Sequence, residues 1–333
     1  MTIVGATSGD TGSAAIDACR DRDHIDIFIL HPLGRTSDVQ RKQMTTVLSP
    51  NVHNIAIEGT FDDCQDLVKA LFADEAFRRS QQLSAVNSIN WARVMAQIVY
   101  YVTTGRAVAA AGEPVSFCVP TGNFGNIFAA YGALRMGLRI DQLLVASNTN
   151  DILTRFFNTG HMEIQSVVPT LSPSMDIQVS SNLERLLFDM LGRDGGAVDD
   201  LLTRFRAEGH VSVDDERLGW LSEHVSAGEL TDQQCLDEIG ATYRDNGYLM
   251  DPHTAVGVGV ARRLRRAGSE VPMVCMGTAH PAKFPDAVER ATGVRPPLPE
   301  HLADLFDRPE RFDTLPADLD AVRRYVTERT VTH

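Results

Sequence analysis

The sequence has 333 residues, 43% hydrophobic and 23% charged, with 31 basic and 44 acidic side chains and a formal net charge of −13. These values are typical of a globular protein and exclude the disordered, collagen-like and coiled-coil classes. The acidic balance argues against nucleic acid or an anionic membrane as a partner, because both require a basic face. An anionic small molecule therefore needs a locally positive site.

Cysteine usage and the N-terminal sequence indicate an intracellular protein. The five cysteines form no CxxC pair, and the ten histidines form no HxH, HxxxH or HExxH group, so we expect neither disulfides nor a metal site. No basic residue precedes Arg20, as a signal peptide would require, and no apolar run approaches the ~18 residues of a membrane span. We expect a soluble, cytoplasmic protein.

The elements predicted for the first 120 residues alternate between strands and helices. Apolar, β-branched runs predict strands at 2–6, 25–30, 54–57, 83–86 and 115–119. Amphipathic runs predict helices at 13–20, 37–47, 61–72 and 90–104, and a further helix begins at Ile127. Repeated βα units of this length indicate an α/β fold, with a parallel sheet covered by helices.

The second half of the sequence is richer in predicted helices. They lie at 151–158, 182–191, 198–207, 214–224, 232–246, 251–267 and near 317–327, with strands at 142–147 and 272–276. Asp251 followed by Pro252 is typical of a helix start, with an N-cap and a proline at the first helical position. The stretch 160–181 predicts an ordered crossing loop.

Two glycine-bearing motifs each join a predicted strand to a predicted helix. Residues 8–12 (SGDTG) and 120–126 (PTGNFGN) place backbone N–H groups at a helix start, where an anion binds. The first does not fit a dinucleotide loop, because its glycines do not follow GxGxxG and the second strand ends in His31-Pro32 without an acid. A purely structural glycine turn remains open. Together, the two motifs suggest two anionic groups.

Two further motifs follow predicted strands. Asn87 and Ser88 follow one predicted strand, and Arg93 lies in the first turn of the next predicted helix. The motif is interpreted either as a helix N-cap or as a set of donors for a phosphate or carboxylate. Residues 277–284 (GTAHPAKF) follow the strand at 272–276, where open α/β sheets bind ligands. Thr278 can offer a hydroxyl to a heterocycle nitrogen, and His280 is interpreted as packed or capping.

These four motifs, in this order, resemble the threonine synthases, which are fold-type II pyridoxal-phosphate (PLP) enzymes of the tryptophan synthase β-like family. SPNVHNIAIEGTFDDCQDLVK and DPHTAV resemble them too, and the likeness covers essentially all 333 residues. It implies a two-lobed α/β fold with parallel-type sheets flanked by helices, and with the N-terminal part of the larger lobe absent. Residues 1–100 would form the smaller lobe with the SGDTG loop, and 101–333 the remainder of the PLP-binding lobe with C-terminal helices.

The resemblance implies that O-phospho-L-homoserine and water become L-threonine and phosphate, by γ-elimination and addition of water at the β-carbon with PLP as cofactor. The implied cofactor-binding residues are Gly122, Asn123, Phe124, Gly125, Asn126 and Thr278. The implied substrate-binding residues are Ser8, Gly9, Asp10, Thr11, Gly12, Asn87, Ser88 and Arg93. No nucleic acid, membrane or metal is implied, and the oligomeric state stays open.

The family's Schiff-base lysine lies upstream of the SGDTG turn, so no catalytic residue carries over. Lys42 and Lys69 lie on predicted helices in charged surroundings, and Lys283 belongs to the pyridine-nitrogen motif. Since that lysine is also the general base, we expect this chain alone to be inactive. The alternatives are a threonine synthase lacking its N-terminal part in this sequence, an inactive homologue that binds an anionic ligand or another subunit, and a PLP enzyme with another substrate.

Overall fold

A computed structural model describes residues 1–7, 9–86, 90–110 and 112–331 of the chain. The strands are β1 (Thr2–Ala6), β2 (Asp26–Pro32), β3 (Val52–Glu58), β4 (Leu83–Ala85), β5 (Val115–Pro120), β6 (Ile140–Ser147), β7 (His161–Glu163), β8 (His210–Ser212), β9 (Ser226–Glu229), β10 (Met273–Cys275) and β11 (Asp313–Pro316). The helices are α1 (Asp10–Cys19), α2 (Asp38–Thr45), α3 (Phe61–Ala73), α4 (Glu75–Ser80), α5 (Trp91–Val108), α6 (Gly125–Arg135), α7 (Ile152–Thr159), α8 (Leu183–Met190), α9 (Gly195–Glu208), α10 (Asp215–His224), α11 (Asp232–Asn246), α12 (Pro252–Leu264), α13 (Pro285–Thr292) and α14 (Leu319–Arg329). Short 3₁₀ helices lie at Pro173–Met175, Pro281–Lys283 and Glu300–Leu302.

The predicted elements are present, and the differences concern short elements and ends. The sequence analysis did not predict α4, α13, β7, β8, β9 or β11; these four strands have only three or four residues each. The predicted crossing loop at 160–181 contains β7 and the first 3₁₀ helix. Strand β2 extends through Pro32, beyond its predicted end at Leu30, because Leu33 N–H supplies the next bond, to Ile57 O at 2.8 Å.

The chain divides into two compact units, and the first combines Met1–Asn87 with Pro297–His333. Its parallel sheet has the order β11-β3-β2-β1-β4. The C-terminal strand β11 pairs with β3, and α14 contributes Val322 and Val326 to a core shared with β2 and α3. The sequence analysis predicted that this C-terminal region belongs with residues 101–333. The prediction differs from the structure because β3 and β11 lie far apart in the sequence, and pairing between distant strands leaves no local signal.

The second unit, Ser88–Pro296, is built on a parallel sheet of order β10-β5-β6-β9 with helices on both faces. Helices α5 to α10 pack on one face around Phe117 and Phe156, and α11 and α12 pack on the other around Cys118 and Leu144. Neighbouring residues of β5 thus face opposite cores, as expected for a sheet buried on both sides. No helix among the described residues is both long enough and apolar enough to cross a membrane.

We expect Val326→Ala to lower the free energy of unfolding by about 2 kcal/mol, because Val326 is fully buried and the substitution leaves a cavity in the first unit. Val331→Ala, the same change at a valine that is 58% exposed, should have almost no effect. Urea unfolding of both variants measures the difference. Equal losses would contradict the assignment of α14 to this core.

Candidate active site

The loop between β5 and α6 is shaped to bind an anion through backbone amides. Helix α6 begins after Phe124, which has a left-handed φ of 64°, and no side chain caps the helix start. Within the described part of the chain, the N–H groups of Gly125 and Asn126 donate to no protein acceptor. Uncapped amides at a helix start, together with the helix dipole, favour a phosphate group. This donor set fits the phosphate of PLP.

Side chains within the loop fix its shape. Thr121 Oγ1 donates to Asn126 Oδ1 at 2.6 Å and accepts from Phe124 N–H at 3.1 Å. Asn126 Nδ2 donates to Pro120 O at 2.9 Å, and Asn126 Oδ1 also accepts from Ile127 N–H at 3.0 Å. The side chain of Asn126 is therefore engaged inside the loop, and this residue can contribute to a ligand site through its backbone.

The segment before α8 holds the same loop from outside. Ser180 Oγ donates to Gly122 O at 2.7 Å, while the N–H and Nδ2 of the fully buried Asn182 donate to Asn123 O at 3.1 and 3.0 Å. A Cβ on Gly122 would stand 2.8 Å from Ser174 O, so only glycine fits there. The sequence analysis missed this support, because the segment lies more than fifty residues from the loop.

Thr278 lies at the same edge of the sheet as this loop. Strands β10 and β5 are parallel, with Cys275 opposite Cys118, so the residues that follow both strands emerge at neighbouring carboxyl ends. Thr278 is exposed. His280 caps the following 3₁₀ helix by accepting from Ala282 N–H at 3.2 Å, which agrees with its interpretation as a capping residue. The structure thus brings the predicted cofactor residues of the second unit to one edge.

In the first unit, residues 9–12 of the SGDTG motif open α1. Gly9, Asp10, Thr11 and Gly12 all lie at the start of this helix. The buried Thr7 accepts through Oγ1 from Gly9 N–H and Gly12 N–H, both at 2.9 Å. Gly9 has a φ of 146°, which side chains rarely adopt. Gln40 Nε2 donates to Asp10 Oδ1 at 3.1 Å. Thr7 and Gln40 are supports that the sequence analysis did not single out.

Arg93 is a half-buried cation in the first turn of α5. The N-cap of this helix is Asn90, whose side chain accepts from the first turn at 2.9 Å. Burial lowers the pKa of Arg93, and among the described residues it has no ion-pair partner. A partly desolvated guanidinium without a counter-ion is suited to a phosphate or carboxylate. The predicted residues Ser8, Asn87 and Ser88 lie outside the described residues.

The lysines of the first unit have carboxylate partners. Lys42 Nζ lies 3.3 Å from Glu310 Oε1, and Lys69 Nζ lies 2.8 Å from Asp66 Oδ1, in agreement with the charged surroundings predicted for both. Lys283 ends the 3₁₀ helix after Thr278. Lys42 Nζ also donates to Phe306 O at 3.1 Å, so both amines are engaged by protein partners within the first unit.

Comparisons with known proteins define the class first. The family model described as "Pyridoxal-phosphate dependent enzyme" matches residues 1–203, and that described as "Threonine synthase, C-terminal" matches residues 254–326. The chain is thus a PLP-dependent enzyme of the fold-type II class, as the motifs predicted.

Individual relatives narrow the class to one family. A threonine synthase of Pseudomonas aeruginosa is 56% identical over 329 residues, which cover 98% of this chain and 70% of the relative. The PLP-bound threonine synthase of Brucella melitensis is 51% identical with a TM-score of 0.95, covering 99% of this chain and 71% of that one. The yeast enzyme is 39% identical with a TM-score of 0.92, covering 98% and 69%. The chain belongs to the threonine synthases.

We expect Gly122→Ala to weaken PLP binding at least about tenfold, because the new Cβ would stand 2.8 Å from Ser174 O and 3.2 Å from Met175 Cα, and backbone atoms cannot swing aside. Gly219→Ala on α10 is the matched control, since nothing lies within 4 Å of that Cβ. Fluorescence titration with PLP measures both affinities. Unchanged affinity in Gly122→Ala would show that this loop does not hold the cofactor.

Proposed function

We propose that this threonine synthase chain holds PLP and O-phospho-L-homoserine for conversion of that substrate and water into L-threonine and phosphate. The observation that carries the proposal is the second anion site of the second unit. Arg93 has no ion-pair partner among the described residues, and it lies on α5, whereas the amide loop suited to the cofactor phosphate opens α6. A reaction with a phosphorylated cofactor and a phosphorylated substrate requires two such sites. We further propose a cytoplasmic location.

PLP, when bound, supplies the electron sink that permits loss of protons beside the amino group and departure of phosphate. The amides of Gly125 and Asn126 are proposed to bind its phosphate, with Gly122, Asn123 and Phe124 completing the loop. The Thr278 hydroxyl is proposed to bond with the pyridine nitrogen and to keep it largely unprotonated. Because the Asn126 side chain forms hydrogen bonds within the loop, we propose that Asn126 binds the cofactor phosphate through its backbone N–H group.

Different residues are proposed to bind the phosphate and the amino-acid group of the substrate. We propose that Arg93 binds the substrate phosphate, where its planar fork matches two oxygens and stabilises the negative charge that grows as the carbon–oxygen bond breaks. The SGDTG turn is proposed to bind the amino-acid end of the substrate. Thr7 fixes the shape of this turn, because its Oγ1 accepts from Gly9 N–H and Gly12 N–H. The proposed partners of Arg93 are Asn87 and Ser88.

Arg93→Gln should weaken binding of O-phospho-L-homoserine by about 10- to 100-fold, as expected for loss of a charge-assisted bond, and leave L-homoserine almost unaffected. Calorimetry in the presence of PLP measures both ligands. The control is Arg106→Gln, an exposed arginine on the same helix, which should change neither affinity. An unmodified chain that binds L-homoserine as tightly as its phosphorylated form would contradict the proposed substrate.

The 333 residues by themselves should bind PLP without turning the substrate over, because Lys42 and Lys69 are ion-paired and Lys283 belongs to the motif of the pyridine nitrogen. Phosphate release from O-phospho-L-homoserine should stay at the rate given by PLP alone, with the Pseudomonas aeruginosa enzyme as positive control. Borohydride reduction should leave Lys42 and Lys69 unlabelled. Formation of threonine by the purified chain would overturn this expectation and assign the proton transfers to a residue within it.

A further inference from the structure

A buried polar cluster at the start of α12 has no role in the reaction described above. Asp251 is fully buried and caps α12, accepting from His253 N–H at 2.8 Å and Thr254 N–H at 3.3 Å. The same carboxylate accepts from His253 Nδ1 at 2.9 Å and from the Thr254 hydroxyl. His253 is only 3% exposed. Buried polar groups are kept where their partners satisfy them, so Asp251 fixes the orientation of the imidazole.

The second nitrogen of this imidazole reaches the wall of the phosphate loop. His253 Nε2 accepts from Ser174 N–H at 3.3 Å. Ser174 O and Met175 Cα are the backbone atoms that lie 2.8 and 3.2 Å from a Cβ built on Gly122. Since Nε2 accepts from a backbone N–H, Nδ1 is the nitrogen that donates to Asp251. His253 therefore connects Asp251 to the backbone directly behind Gly122.

The same cluster also contacts the motif that contains Thr278. The ring centroids of His253 and Phe284, the last residue of GTAHPAKF, lie 4.7 Å apart with an interplanar angle of 53°. Thr254 Oγ1 would lie 3.8 Å from a Cβ on Gly277. One buried cluster thus touches both elements proposed to hold the two ends of PLP.

We propose that His253, oriented by Asp251, is a positioning residue that fixes the separation between the phosphate loop and the Thr278 motif. This inference rests on the cofactor residues of the proposed function. The phosphate of PLP is joined to its ring by a short link, so both ends bind well only at one separation of the two elements. Inorganic phosphate requires the loop alone and is therefore less sensitive to that separation.

Two substitutions of His253 separate its two hydrogen bonds. In His253→Asn the amide nitrogen keeps a donor for Asp251 and loses the acceptor for Ser174, whereas His253→Gln places an amide oxygen near the former Nε2. We expect His253→Asn to weaken PLP binding about tenfold and phosphate binding less than about threefold. His253→Gln should stay within about threefold of the unmodified chain for both ligands. PLP is titrated by fluorescence, and phosphate by competition against it.

The control is Val260→Ala, a substitution of a fully buried valine farther along the same helix. It removes core packing without changing a hydrogen bond of His253, and we expect it to leave the ratio of the PLP and phosphate affinities unchanged. Equal weakening of PLP and phosphate by His253→Asn, or unchanged PLP binding, would overturn the positioning role. Should that variant not fold, Phe284→Leu changes the other contact of the ring and carries the same expectation. An unmodified chain that binds no PLP would instead refute the cofactor assignment, and the positioning role with it.

Discussion

The candidate cofactor site in the second unit depends on the parallel pairing of β10 with β5. This register sets Cys275 opposite Cys118, so that the Thr278 motif and the loop that opens α6 leave the sheet at adjacent carboxyl ends. The residues of the two strands lie more than 150 positions apart in the chain, with α6 to α12 between them. Because parallel neighbours require a crossover, the helices that cover the sheet are the same elements that bring the two motifs together.

The two glycine loops at the starts of α1 and α6 could be predicted from the sequence as local structures, but the side chains that support them could not. Glycine turns between a strand and a helix can be recognised from local sequence. The positive φ of Gly9 explains why a glycine stands at this position of the motif. Gln40 and Asn182 donate hydrogen bonds to these loops from distant parts of the chain. In the sequence, a glutamine or asparagine that supports a loop cannot be distinguished from one at the surface. His253 belongs to a recognised piece, DPHTAV, but its partner Ser174 is visible only in the fold.

The same contrast holds for the fold. Long amphipathic helices such as α3 and α11 lie where the apolar period places them, because their buried faces repeat over three or four turns. Strand β11 is four residues long, contains a proline and is partly exposed, so nothing local indicates a strand. Because β11 pairs with β3, the C-terminal region belongs to the first unit. The observed division of the chain therefore differs from the predicted one at residue 100.

The discontinuity of the first unit has a consequence for synthesis of the chain. Ribosomes release the chain from its N-terminal side, so β3 keeps an unpaired edge until β11, more than 250 positions later in the sequence, emerges. The second unit is contiguous and can complete its sheet before β11 emerges. The nascent chain therefore carries an open, apolar strand edge while the whole second unit is synthesised, and such edges pair with other chains. Chaperone demand during translation follows from the topology of the first unit.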